Sequence, residues 1–246
     1  MKWVPDRTGR FPQRPHWQPA ELDAECERIL MELRTHERSG VYPITTDELT
    51  VLIETQVQDL DLYADLEPEG EDLQGVTDFF IGSRPHVRIS KTLTEDLRRE
   101  NRLRTTLTHE LGHVRLHGFL VELDTPIPMF ESIEESPFRV LAVANEKVSC
   151  FRGTITDAPE RDWMEWQAAY ASGALLMPAS VTLELARQSS SSASLARPID
   201  GTSQASELTR SVQRTFGVSE EAARVRLLKL NLVLPSRTQE SMPLFS

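Results

Sequence analysis

"TTLTHELGHVRLHG", residues 105–118, decides how the rest of the chain is read. The segment lies inside "TEDLRRENRLRTTLTHELGHVRLHGFL", which predicts a helix over 94–120. On a helix, residues four apart share a face, so His109 and His113 can offer two imidazoles to one metal ion. Glu110 points beside that pair and can reach a metal-bound water without being a ligand. The pattern H-E-x-x-H therefore reads as two ligands plus a carboxylate general base. Zinc suits it, because zinc lowers the pKa of its water to about 7. The competing reading is an amphipathic helix whose histidines pack or face water. Gly112 leans toward the metal: a mid-helix glycine costs about 1 kcal/mol against alanine, so something wants the close approach it permits. Packing alone could also want it.

A catalytic zinc site takes three protein ligands and keeps one position open. The extended motif with a downstream glycine and third histidine is excluded, because Leu116 and Phe119 stand in those places. His117 stacks one turn beyond His113. Three ligands along one straight helix would span roughly 12 Å, so His117 reads as a helix-surface or packing residue, or as a supporting or substrate-side group. Glu165 is the better candidate. It is the one formal charge in "WMEWQAAYASGALLM" (163–177). A lone carboxylate in so apolar a helix must be exposed, protonated or paired. Zinc is a natural partner, and an exposed glutamate favoured by the helix N-terminus is the alternative.

The surrounding composition is that of a soluble globular protein: 246 residues, 39% hydrophobic, 26% charged. The net charge of −11 argues against a broad phosphate-binding surface. Two distant cysteines, Cys26 and Cys150, argue against a disulfide scaffold and fit a reducing compartment. No apolar run approaches a membrane span, and the basic N-terminus lacks the apolar core of a secretory signal. The expectation is a cytoplasmic protein.

Residues 1–19, with four prolines, predict an irregular arm pinned by Trp3, Phe11 and Trp17. A single domain is expected over 20–234, with a zinc core at 75–180 and a C-terminal helical pair at 205–234; a flexible tail follows over 235–246. "PAELDAECERILMELR" (19–34) and "ITTDELTVLIETQV" (44–57) predict helices, the second with Thr46 as N-cap. "QDLDLYADLEPEGEDL" (58–73) carries seven acids and no base. It reads as a solvated loop, or as an acidic rim that selects basic substrates. "GVTDFFIGSRPHVRIS" (75–90) predicts two strands around a turn. Residues 124–137 read as a loop before the apolar "FRVLAVANEKVSCF" (138–151). "DWMEWQAAYASGALLM" predicts a helix ended by Pro178, and "SSSSAS" (189–194) a flexible loop. Cys150 reads as a small hydrophobe. Arg104 and Arg152 read as surface residues, although either could bind substrate carbonyls.

"RLRTTLTHELGHVRLH", followed downstream by "EWQAAYASGALLMP", resembles the ImmA/IrrE family of zinc metallopeptidases. In that family an H-E-L-G-H helix is followed by one of the form E-x-x-A-N-x-F-A-x-x-L-L-M-P. The closing "FGVSEEAARVRLLKLNLV" resembles the family's F-x-V-S-x-x-A-x-x-x-R-L-x-x-L-G-L. The resemblance covers about residues 75–234. It implies His109, His113 and Glu165 as zinc ligands and Glu110 as general base, in an α+β, gluzincin-like minimal metallopeptidase domain, mostly helical with a small mixed sheet. It implies a protein substrate, a helix-turn-helix transcriptional repressor whose cleavage relieves repression of a mobile element or stress response. Ala169 and Ala171 depart from the family's Asn and Phe, so the group that holds the zinc-binding histidines from behind must be found elsewhere. Tyr170 and His117 are the candidates for oxyanion or substrate-side roles.

A rival class remains. "SELTRSVQRTFGVSEEAARVRLLKLNLVL" (206–234) reads as two helices around Gly217, the outline of a helix-turn-helix. Glu220 and Glu221 lead its second helix at the end that usually meets bases, which disfavours direct nucleic-acid binding. A zinc-containing partner-binding protein that does not cleave is the third reading; the intact Glu110 favours catalysis.

Overall fold

In the computed structural model, residues 1–34, 41–122, 147–151, 162–189 and 197–236 are described. The first elements are β1 (Lys2–Pro5), β2 (Gln13–His16), α1 (Pro19–Arg34), α2 (Thr46–Glu54) and β3 (Asp59–Ala64). Then come β4 (Leu73–Asp78), β5 (His86–Ser90), α3 (Lys91–Thr94), α4 (Glu100–Glu122) and β6 (Lys147–Phe151). The last are α5 (Trp163–Leu176), α6 (Ala179–Ser189), α7 (Ser203–Phe216) and α8 (Glu220–Lys229). The fold is α+β and mostly helical, as expected. The chain divides into two compact units: Met1–Glu25 with Thr45–Ser172, and Cys26–Ile44 with Gly173–Ser246.

The first unit is built on a four-stranded mixed sheet of order β3-β5-β4-β6. β3 runs parallel to β5, while β4 is antiparallel to both β5 and β6. The β4–β5 pair is the strand–turn–strand expected over 75–90. Val76, Val87 and Ile89 are buried on it, as period-two patterning requires. β3 overturns the solvated-loop reading of 58–73. Its acids do not prevent pairing, because the strand lies at the sheet edge and Leu60 and Leu62 alternate with Asp59 and Asp61. Asp65 pairs with Lys91 and Glu69 with Arg88, so part of the acidic stretch is neutralised locally.

The expected irregular arm is an antiparallel ribbon, with Trp3 opposite Pro15 and Val4 opposite Arg14. Its prolines are tolerated because a two-stranded ribbon has only edges. The Asp6 carboxylate closes the turn by accepting from the backbone N–H of Thr8 (2.9 Å) and Phe11 (3.1 Å). Trp3 packs edge-on against Phe119, and Phe11 against Trp163, so two of the expected anchors hold. The N-cap of α2 is Thr45 and not Thr46. The Thr45 hydroxyl accepts from Glu48 N–H while the Glu48 carboxylate accepts from Thr45 N–H, a reciprocal capping box that fixes the boundary one residue earlier.

Against the sheet lies α4. It packs on α5 at unusually short range, because Gly112 faces Ala168 and Ala171. A Cβ at position 112 would stand 3.1 Å from Ala168 Cα and 3.3 Å from Ala171 Cβ. Thr108 and Ser172 bridge the same two helices by hydroxyls 2.9 Å apart. The second unit is helical. The αL residue Gly217 (φ 58°) ends α7, and the Ser219 hydroxyl caps α8 by accepting from Ala222 N–H. Val212, Phe216, Ala223 and Leu227 are buried there, and Arg226 donates to the Met177 carbonyl (3.0 Å). The expected loops over 124–137 and 190–194, and residues 237–246 of the expected tail, lie outside the described residues.

Two glycines of α4 separate packing from propensity. Gly112→Ala gains about 1 kcal/mol of helix propensity but loses about 1–3 kcal/mol to overpacking against backbone. A Cβ at Gly118 meets only Phe79, at 3.8 Å. Urea denaturation should show Gly112→Ala destabilised and Gly118→Ala unchanged or more stable; the reverse order would contradict the packing described.

Candidate metal centre

The α4 helix places His109 and His113 on one face, and α5 brings Glu165 to meet them. His109 Nε2 and His113 Nε2 are 3.1 Å apart. Glu165 Oε2 lies 3.2 Å from His109 Nε2, and Glu165 Oε1 lies 3.1 Å from His113 Nε2. Both histidines are fully buried and Glu165 is 5% exposed. The expected trio is therefore one group that could hold a metal ion. The exposed-glutamate alternative fails, because α5 is buried at this end.

The donors fit a small cation. An ion bound tetrahedrally at about 2.0–2.1 Å separates its ligand atoms by about 3.3–3.4 Å, close to the spacings here. Glu165 Oε1 has no aligned hydrogen-bond partner among the described residues, despite its short distance to His113. Lone pairs crowded together out of reach of water repel one another unless positive charge sits among them.

Glu110 is fully buried and turns toward the sheet, where its Oε2 accepts from the Thr77 hydroxyl on β4 (2.6 Å). Gly75, on the same strand, makes the approach possible: a Cβ there would collide with the Glu110 carboxylate and lie 2.9 Å from Thr106 Cγ2. Neither Gly75 nor Thr77 was singled out as a site residue from the sequence. Their one signal is a glycine and a hydroxyl alternating on a strand ahead of the metal helix.

His117 is also fully buried, which ends its helix-surface reading. Its Nδ1 lies 3.1 Å from His113 Nδ1, and its Nε2 lies 3.1 Å from Gln167 Oε1. Gln167 Nε2 in turn donates to the Pro15 carbonyl in β2 (2.9 Å). The support that Ala169 cannot give His113 thus comes from His117 and Gln167. His109 Nδ1 has no hydrogen-bond partner among the described residues. Gln167 escaped sequence reading, although a second polar side chain in so apolar a helix demands a partner as much as Glu165 does. Tyr170 is not drawn to the histidines; it is buried and its hydroxyl donates to Asp23 (3.0 Å). Arg104, expected at the surface, is buried, and Arg152 lies outside the described residues.

Burial, and then the neighbouring His113, push the His117 pKa well below its ordinary 6.5. Burial would raise that of Glu165, but His113 and the contacts from both imidazoles outweigh it and hold the carboxyl well below its ordinary 4.5. Each group is thus less basic folded than unfolded. The stability each contributes is present above its unfolded value and lost as pH falls. For metal-free protein, urea titrations should show stability falling below about pH 6.5, with His117 contributing at most about 1.4 kcal/mol per pH unit. His117→Asn should flatten that slope between pH 6.5 and 5; an unchanged slope would assign the loss to other groups.

A family model described as the IrrE N-terminal-like domain, a peptidase domain, matches residues 140–228. The match spans β6 and the helices from α5 to α8, including Glu165, and begins beyond the H-E-x-x-H motif. No curated protein and no solved structure matches the chain. The matched segment supplies the one member of the trio that does not come from α4, and the fold closes the two parts into a single group. Over residues 140–228 the chain is similar to the IrrE N-terminal-like peptidase domain, and this match supports its resemblance to the ImmA/IrrE metallopeptidases.

Proposed function

We propose that the chain is a zinc-dependent endopeptidase that hydrolyses peptide bonds of a protein substrate. The observation that carries this reading is the convergence of His109, His113 and Glu165, with Glu110 directly following His109 on α4. Two imidazoles and one carboxylate suit zinc better than magnesium or calcium, which prefer oxygen-only shells. His109, His113 and Glu165 would hold the ion. When bound, zinc supplies a Lewis acid that polarises the scissile carbonyl and acidifies water.

Glu110 is the general base. It takes the proton from the attacking water and returns it to the leaving amine. The Thr77 hydroxyl fixes the direction of its carboxylate, and Gly75 leaves the room in which that carboxylate sits. The burial of these groups keeps the proton transfer away from bulk water. Tyr170 and His117 are both engaged inside the protein, so neither is assigned the oxyanion.

For the substrate we propose a helix-turn-helix transcriptional repressor in the cytoplasm. The family resemblance and the net charge of −11 support a basic partner. Asp59, Glu67, Glu71 and Asp72 are exposed and could meet it. Among the described residues no helix is long and apolar enough to cross a membrane. The DNA-binding reading of α7–α8 is weakened by the engagement of its basic groups: Arg224 pairs with Asp200 and Arg226 is buried.

Elemental mass spectrometry on metal-replete protein should find about one zinc per chain, as a three-ligand centre requires. Glu165→Ala should lose it. Glu110→Gln should keep it and lower kcat toward a repressor substrate by about 10²–10⁴-fold. A wild type without zinc, or zinc indifferent to Glu165→Ala, would refute the site. Neutralising the four exposed acids should slow cleavage of a basic substrate at low salt and flatten its salt dependence; cleavage that ignores both changes would remove the acidic rim from the reading.

A further inference from the structure

We propose that the Pro15 carbonyl, acting through Gln167 and His117, fixes the tautomer of His113 so that its Nε2 lone pair faces the metal position. Gln167 and His117 are then positioning residues of the centre, and the N-terminal ribbon is part of it. The inference rests on the metal reading above and names what holds one of its ligands.

The direction of each bond follows from what its partner cannot do. The Pro15 carbonyl can only accept, so the Gln167 amide must present its NH₂ there, at 2.9 Å. That turns Gln167 Oε1 toward His117. A carbonyl oxygen also only accepts, so the His117 proton sits on Nε2, 3.1 Å away. A neutral imidazole protonated on Nε2 carries its lone pair on Nδ1. His117 Nδ1 therefore accepts, and its neighbour at 3.1 Å, His113 Nδ1, donates. The lone pair of His113 is left on Nε2, the atom 3.1 Å from both His109 Nε2 and Glu165 Oε1. The opposite tautomer would aim an N–H at the place the cation takes. No carboxylate contacts His117 in this chain of bonds. Among the described residues its other close neighbour is the Trp163 ring, edge-on at 5.4 Å.

The test uses the full-length chain and two readouts. Long-range ¹H–¹⁵N imidazole spectra of metal-free protein report which nitrogen of His113 carries the proton. Competition with a chelator reports zinc affinity. His117→Asn places an oxygen where imidazole Nδ1 stood, while His117→Phe keeps a ring without an acceptor. Wild type should show His113 protonated on Nδ1. His117→Phe and Gln167→Leu should lose that preference and bind zinc about 10–100-fold more weakly, and His117→Asn should recover most of the affinity. A wild-type His113 protonated on Nε2 overturns the proposal even if every variant fails to fold. Zinc binding that needs Glu165 but ignores His117→Phe overturns the proposal and leaves the metal reading standing. Zinc binding indifferent to Glu165→Ala removes both.

Discussion

The first unit depends on one unfavourable arrangement: two imidazole nitrogens and a carboxylate facing one another within about a hydrogen-bond length, shut away from water. Isolated, such lone pairs repel, and a buried carboxylate resists losing its hydration. The arrangement persists only if a positive charge shares the space and if each donor is prevented from turning away. The sequence meets the second need by placing the side chains on two packed helices instead of loops. A helix fixes the direction of His109 relative to His113. The separation of Glu165 from both is then set by how closely the second helix approaches.

Close approach explains the small residues. Gly112 on α4 meets Ala168 and Ala171 on α5, and a methyl group added at 112 would press on backbone. Where the family pattern carries a phenylalanine, Ala171 instead lies against Gly112. On the other side of α4 the same economy recurs: Gly75 makes room on β4 for the Glu110 carboxylate, and Thr77 ties it down. α4 is thus held between a helix that meets its Gly112 with alanines and a strand that meets its Glu110 with a glycine.

Much of this was legible in the sequence. His109, Glu110 and His113 follow from helical spacing, and the β4–β5 pair from alternation. Glu165 stood out because a single charge in an apolar helix must find a partner. The remainder depended on long-range contacts that no local pattern encodes. β3 was hidden because its acids read as solvent-facing, and an edge strand can keep acids on its open side. The ribbon of β1 and β2 was hidden because prolines suggest irregularity, whereas Asp6 closes a turn between two strands that need few ladder bonds. His117 misled for a different reason. Rejecting it as a third ligand on the same helix was sound geometry, but the burial that gives it a partner in Gln167 comes from α5 and the ribbon.

The ribbon changes what counts as the centre. An N-terminal segment that read as an irregular arm presents a carbonyl that can only accept, and that restriction passes along three hydrogen bonds without being lost. Each member of the chain can be reversed on its own: an amide can flip, and an imidazole can exchange its proton between nitrogens. Only the terminal backbone group cannot. A tautomer at the metal position is therefore decided by a residue distant in sequence. The expected tolerance of such a segment to change, usual for chain termini, should fail where it meets Gln167.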